Sequence, residues 1–156
     1  MDTVSREARS RMMAAVRSKN TAVEFSIRRQ LFARGFRYRL HPRELPGRPD
    51  MIFPKYHAVV FINGCFWHNH DCRFSRLPAT RRAWWKKKLE GNRKRDAVVL
   101  SALSEMDWRT LVIWECSFRV PTAHRSAALE VVTRRATRFL LSNQRNLEIR
   151  GMQRVK

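Results

Sequence analysis

The sequence predicts an α/β fold: a single domain with a small mixed β-sheet flanked by helices. Three observations predict it. His57–Ile62, HAVVFI, is a continuous apolar and β-branched run, as expected of a central strand covered on both faces. Arg109–Glu115, RTLVIWE, is a second run of the same kind. Helical periodicity fills the chain between and after them, and alternation of strand and helix patterns marks layered α/β architecture. No repeat appears, no linker divides the 156 residues, and a chain of this size buries roughly 70% of its unfolded surface. A hydrophobic content of 44% excludes wholesale disorder, and only 5 Gly and 6 Pro exclude collagen-like or low-complexity architecture.

Taken in order, residues 5–18 read as a first helix rich in Arg, Ala and Met. A second starts at Thr21-Ala-Val-Glu24, which has the form of a capping box. Val23, Ile27 and Leu31 follow at helical spacing, and Gly35 supplies a stop. Phe36–Leu40 and Asp50–Phe53 read as short strands before HAVVFI, separated by the Pro- and Gly-punctuated HPRELPGRP. A polar and aromatic segment spans 63–77. A helical stretch then covers Ala79 to Met106, with Gly91-Asn92 as an expected break. Beyond RTLVIWE, residues 123–141 form an amphipathic helix with Leu129, Val132, Ala136, Phe139 and Leu140 on its apolar side. Residues 142–156 read as a basic tail.

Charge gives the partner. With 33 Lys+Arg against 13 Asp+Glu, the net charge is +20 and the pI about 11.6. A polyanion is the expected partner, and nucleic acid fits best because neutralised phosphates release condensed counterions. An anionic membrane surface would favour one basic amphipathic helix over charge spread along the whole chain. No apolar run approaches the ~20 residues of a membrane span, and the N-terminus has no signal-peptide core, so an intracellular protein is expected. In a reducing compartment Cys65, Cys72 and Cys116 do not make a disulfide framework.

Three stretches carry chemistry. The first is Asn63-Gly64-Cys65-Phe66-Trp67-His68-Asn69-His70-Asp71-Cys72, directly after a predicted central strand. Cys65, His70 and Cys72, joined by Cys116, supply the N/S donor set of a closed zinc site. His68 offers the same imidazole, and spacing does not choose between the two. The second is Pro46-Gly47-Arg48-Pro49-Asp50, where a carboxylate beside a strand end suits a hard divalent cation. Spacing alone reads Asp50 as a turn residue, Glu24 as part of the capping box and His68 as a structural histidine. The third is residues 73–95, with ten Lys/Arg, including Lys86, Lys87 and Lys88, and one acidic residue. Trp84 and Trp85 lie within it, and adjacent helical residues point about 100° apart, so both do not face the core. Basic groups interleaved with aromatics suit phosphate contact plus stacking or wedging against bases.

LPGRPD, FINGCFWHNHDC, PATR-x3-W and LVIWEC, in this order over about residues 8–120, resemble the very short patch repair (Vsr) mismatch endonucleases. The resemblance implies a fold related to the PD-(D/E)XK nucleases with one structural zinc. It also implies Mg²⁺-dependent nicking of double-stranded DNA 5′ of the thymine in a T·G mismatch left by 5-methylcytosine deamination. By this resemblance Asp50 is the principal Mg²⁺ ligand and the Ile62 carbonyl a second, while Glu24 and His68 act through bound waters. Cys65, His70, Cys72 and Cys116 bind zinc, which selects His70 over His68. Phe66, Trp67 and Trp85 form an aromatic wedge, and the first helix, with Arg6, Arg9, Arg11 and Arg17, lies against the minor groove. Ile62-Asn63 departs from the Thr-His frequent in the family, and Asn63 can hydrogen-bond the leaving oxygen but not protonate it.

A monomer suffices to nick one strand. A bacterial cytoplasmic, nucleoid-associated enzyme is expected, linked functionally to a cytosine-5 DNA methyltransferase and repair proteins. Two other readings remain open at this point: a Vsr-like restriction endonuclease cutting paired DNA, and a non-catalytic zinc-stapled DNA-binding protein.

Overall fold

The computed structural model describes Ser5, Glu7, Ala8, Arg11 and residues 21–151. The expected first helix, with Arg6, Arg9 and Arg17, lies outside these residues apart from Glu7, Ala8 and Arg11, which are helical. Helix α1, Ala22–Ala33, begins as the sequence predicts: the Thr21 side chain accepts from the Glu24 amide at 3.3 Å. It ends in a Schellman turn, where Phe36 N donates to Leu31 O and Gly35 N to Phe32 O, with Gly35 at φ +87°. This turn commits Phe36 to the helix end and buries its ring in the core. Strand β1 therefore shrinks from the expected Phe36–Leu40 to Arg39–Leu40.

The other strands are β2, Met51–Phe53, β3, Ala58–Asn63, β4, Arg109–Trp114, and β5, Asn146–Ile149. They form one sheet in the order β1-β2-β3-β4-β5. Its first two pairings are antiparallel, and β3 with β4 and β4 with β5 are parallel, so the expected mixed sheet is present. Helix α2 spans Arg82–Glu105 and helix α3 Arg125–Leu141.

Strand alternation splits the core between two faces. Met51, Phe53, Ala58, Val60, Leu111 and Ile113 pack with Ile27 and Leu31 of α1 and Val132, Ala136, Phe139 and Leu140 of α3. On the other face, Ile52, Val59 and Phe61 meet Val99 and Leu103 of α2.

Two expectations fail. Helix α2 runs unbroken through Gly91-Asn92, because its hydrogen-bond ladder tolerates one glycine at a cost near 1 kcal/mol. The expected basic tail instead contains β5, which continues the parallel sheet beyond β4 and buries Ile149. NLEI is too short, and too closely flanked by arginines, to read as a strand without its partner.

Candidate functional site

The parallel strands β3 and β4 both point their C-terminal ends at one corner, where ligand sites form in α/β sheets. The loop leaving β3, residues 64–72, folds over that corner. Backbone bonds from His68 N to Gly64 O and from His70 N to Cys65 O coil it into tight turns. Cys65, His70 and Cys72 thereby meet Cys116, in the turn that follows β4. Their potential ligand atoms all lie within 4.8 Å of one another, so the group could hold a metal ion.

The surroundings favour a cation. Cys65, His70 and Cys116 are buried. His70 Nδ1 lies 3.6 Å from Cys116 Sγ, and its ring stacks on Trp114 at 4.0 Å. Cys116 N donates to Cys65 Sγ at 3.3 Å, and Gly151 N to Cys116 Sγ at 3.2 Å. The Cys116 thiol is pushed well down, chiefly by the hydrogen bond from Cys65, while Cys65 is pushed up by the same contact and by burial. Crowded sulfurs that cannot all keep their protons are the donor set a soft or borderline cation takes up.

A second cluster sits at the start of β2. Ile62 N donates to Asp50 Oδ2 at 2.7 Å. In a strand, a residue's N–H and C=O point to the same edge, so the Ile62 carbonyl lies on the β2 side of β3 as its amide does. The Asp50 carboxyl is pushed from 3.8 up to about 6, first by burial. The Ile62 amide pulls it down, Glu24 pushes it up, and Arg28 and His68 pull it down. Glu24, 3% exposed, pairs with Arg28 of the same helix at 2.9 Å.

His68, in the same loop as Cys65 and His70, places its Nδ1 2.7 Å from Asp96 Oδ2 on α2. An ionised carboxylate only accepts, so the contact puts a proton on His68 Nδ1, and in the neutral imidazole Nε2 is then the acceptor. A cavity of about 290 Å³ opens beside them, lined among others by Asn63, His68, Asp96 and Trp114.

On the outer side of the loop, Phe66, Trp67 and Trp85 form an aromatic knot, with ring centroids 5.1, 5.3 and 6.1 Å apart. Trp84 packs edge-on against Trp85 and is 44% exposed, while Trp85 is half-buried against Phe66 and Trp67. Lys88 Nζ lies 4.9 Å from the Trp84 ring and 5.6 Å from that of Trp85, while Lys86 and Lys87 are also exposed on α2. Asn92 Nδ2 donates to Trp67 O at 2.8 Å, tying the knot to the helix.

Sequence reasoning missed Asp96, Asn92, Arg28, His41 and Gly151. Arg28, four residues after Glu24 on one helix face, carried a readable signal. The others act across 9 to 35 residues of chain, as in the pairs His41–Asp50 and Cys116–Gly151, and only the fold brings them together.

The family model described as "DNA mismatch endonuclease Vsr" matches residues 1–74. A type II nicking enzyme of Xanthomonas oryzae pv. oryzae is 46% identical over 115 residues, covering 74% of this chain and 85% of that one. The DNA mismatch endonuclease Vsr of Escherichia coli is 39% identical over 118 residues, covering 76% of each. A type II nicking enzyme of Neisseria meningitidis is 36% identical over 118 residues, covering 76% of this chain and 84% of its own. With a sheet corner that gathers a half-buried carboxylate, a carboxylate-held histidine and a Cys3His group, beside half-buried aromatics, the chain belongs to the Vsr family of DNA endonucleases.

Proposed function

We propose that this endonuclease nicks one strand of duplex DNA on the 5′ side of the thymine in a T·G mismatch, by Mg²⁺-dependent hydrolysis around a structural zinc. The observation that carries the reading is that Asp50 accepts from the Ile62 amide near the end of β3, while the loop leaving that strand carries both His68, paired with Asp96, and the Phe66–Trp67 aromatics. A PD-(D/E)XK-like fold is supported by Pro49-Asp50 entering β2 of a mixed sheet.

Asp50 and the Ile62 carbonyl would hold Mg²⁺, with Glu24 reaching it through water, because hard cations take oxygen donors and keep most of their waters. When bound, the ion neutralises charge on the phosphodiester and lowers the pKa of the attacking water. His68 takes the proton at Nε2, since Asp96 fixes its own proton on Nδ1 and steadies the imidazolium that forms. Asn63, at the end of β3, hydrogen-bonds the leaving oxygen and leaves its protonation to solvent. Cys65, His70, Cys72 and Cys116 suit zinc because they are three sulfurs and one imidazole in a closed, buried set.

Phe66, Trp67 and Trp85 enter the duplex beside the mismatch, where a poorly stacked pair is cheap to open. Lys86, Lys87 and Lys88 meet phosphates. Substrate of this kind arises wherever a cytosine-5 methyltransferase has acted and its product deaminates.

The test is strand-specific cleavage of labelled T·G, T·A and C·G duplexes in one methylation context, with and without Mg²⁺. One Mg²⁺-dependent nick before the mismatched thymine supports the reading. Cutting of the paired duplexes would overturn mismatch specificity and place the enzyme with sequence-specific restriction endonucleases.

A further inference from the structure

The two carboxylates assigned to Mg²⁺ stand on different elements, Glu24 on α1 and Asp50 before β2, and two further side chains join them. Arg28, 5% exposed, donates Nη2 to Glu24 Oε2 at 2.9 Å and lies 3.2 Å from His41 Nε2. His41, the residue after β1, places Nδ1 3.9 Å from Asp50 Oδ1. Its own amide donates to the Asp50 carbonyl at 3.4 Å, so backbone and side chain both face Asp50.

The chemistry of these groups fixes the first contact. Arginine has donors only, so His41 Nε2 must accept from it. The other ring nitrogen, Nδ1, is turned toward Asp50 at 3.9 Å, too long for a hydrogen bond and close enough for a polar contact. His41 holds this pose at φ +46°, a left-handed conformation that costs a non-glycine residue about 1–2 kcal/mol. A Glu24–Arg28 ion pair alone would need no such residue.

We propose that Arg28 and His41 are positioning residues, a relay running Glu24–Arg28–His41–Asp50 that fixes the two carboxylates relative to each other, Asp50 to ligate the divalent cation and Glu24 to reach it through water. The relay rests on the assignment of Asp50 and Glu24 to that cation. It requires of residue 41 one acceptor toward Arg28 and one polar contact toward Asp50. Glutamine offers both through its amide, whereas leucine offers neither.

The experiment is Mn²⁺ binding to the full, DNA-free chain, read as free ion by electron paramagnetic resonance. Asp50→Asn should abolish binding. His41→Leu should weaken it about tenfold, as loss of a residue that orients a metal ligand does. His41→Gln should stay within about twofold of the parent if the amide supplies the acceptor toward Arg28 and the polar contact toward Asp50. Arg28→Met leaves Glu24 buried without its charge partner and invites misfolding, so the two His41 variants carry the test. Loss of binding in Asp50→Asn with full binding in His41→Leu overturns the relay alone. Equal weakening in His41→Gln and His41→Leu also overturns it, because the imidazole and not its polar contacts would then matter. Unchanged binding in Asp50→Asn overturns the cation site itself and the relay with it.

Discussion

Replacing Asp50 with asparagine should stabilise the metal-free protein while destroying its activity. Burial pushes this carboxyl from 3.8 to about 6, and its side chain is 15% exposed. The folded chain therefore binds the Asp50 proton more tightly than the unfolded chain, and stability from this group is fully present below about pH 4. It is lost as pH rises through about 6. At ~1.4 kcal/mol per unit of pKa, ionised Asp50 costs the fold at most about 3 kcal/mol above pH 7. Asparagine removes the charge and keeps an oxygen to accept from the Ile62 amide, so the variant should recover about 1–3 kcal/mol. Urea unfolding of parent and variant in Mg²⁺-free buffer from pH 4 to 8 measures this. The difference should be near zero at pH 4, grow through pH 6 and level off by pH 8. Mg²⁺ should stabilise the parent and not the variant. A stability difference that stays flat across pH 4–8 would refute the claim that Asp50 is a strained, desolvated charge.

Asp96→Asn removes the charge that steadies His68, so kcat should fall by about 10²–10⁴ with DNA affinity unchanged, and a rate within twofold of the parent would exclude the pair from catalysis. Gly151→Ala drives a Cβ into the Cys116 carbonyl, which forces the chain after β5 to lift and the amide–sulfur bond to break. Its metal should be released faster to a chromogenic chelator, and a cost of about 1–2 kcal/mol should lower Tm by about 2–8 °C. Trp67→Ala should weaken binding to a T·G duplex by about 1–3 kcal/mol and leave paired duplex nearly unaffected, as read by fluorescence anisotropy. Equal losses on both duplexes would mean that Trp67 packs the loop and does not enter DNA.

The sequence was most readable where local rules decide structure. HAVVFI and RTLVIWE are strands within a residue of their expected ends, because continuous β-branched runs have no other good use in a domain of this size. Thr21-x-x-Glu24 opened a helix through contacts three residues apart. Grouping Cys65, His70, Cys72 and Cys116 was also within reach, since donor chemistry limits what such a set can be. Legibility ended where a role depends on a distant partner. Asp96 looks like one acid in a basic helix until His68 is found 2.7 Å away. Gly91-Asn92 reads as a helix breaker until the Asn92 amide is seen on the Trp67 carbonyl. NLEI became a strand only because β4 offers an unpaired edge beside it.

These distant partners converge on one short loop. Residues 63–72 carry Asn63 and His68, the aromatic pair Phe66–Trp67, and three members of the Cys3His group. So short a loop has too little apolar surface of its own to hold a phenyl ring and an indole in one pose against chain entropy. Four ligand atoms within 4.8 Å supply the missing constraint by tying the loop to Cys116 and, through Gly151, to β5. The Asn92 and Asp96 contacts tie its other side to α2. In the proposed mechanism a metal held by this group would join the proton acceptor and the wedge in one rigid body, so that inserting the aromatics into DNA would also set the distance from His68 to the water it activates.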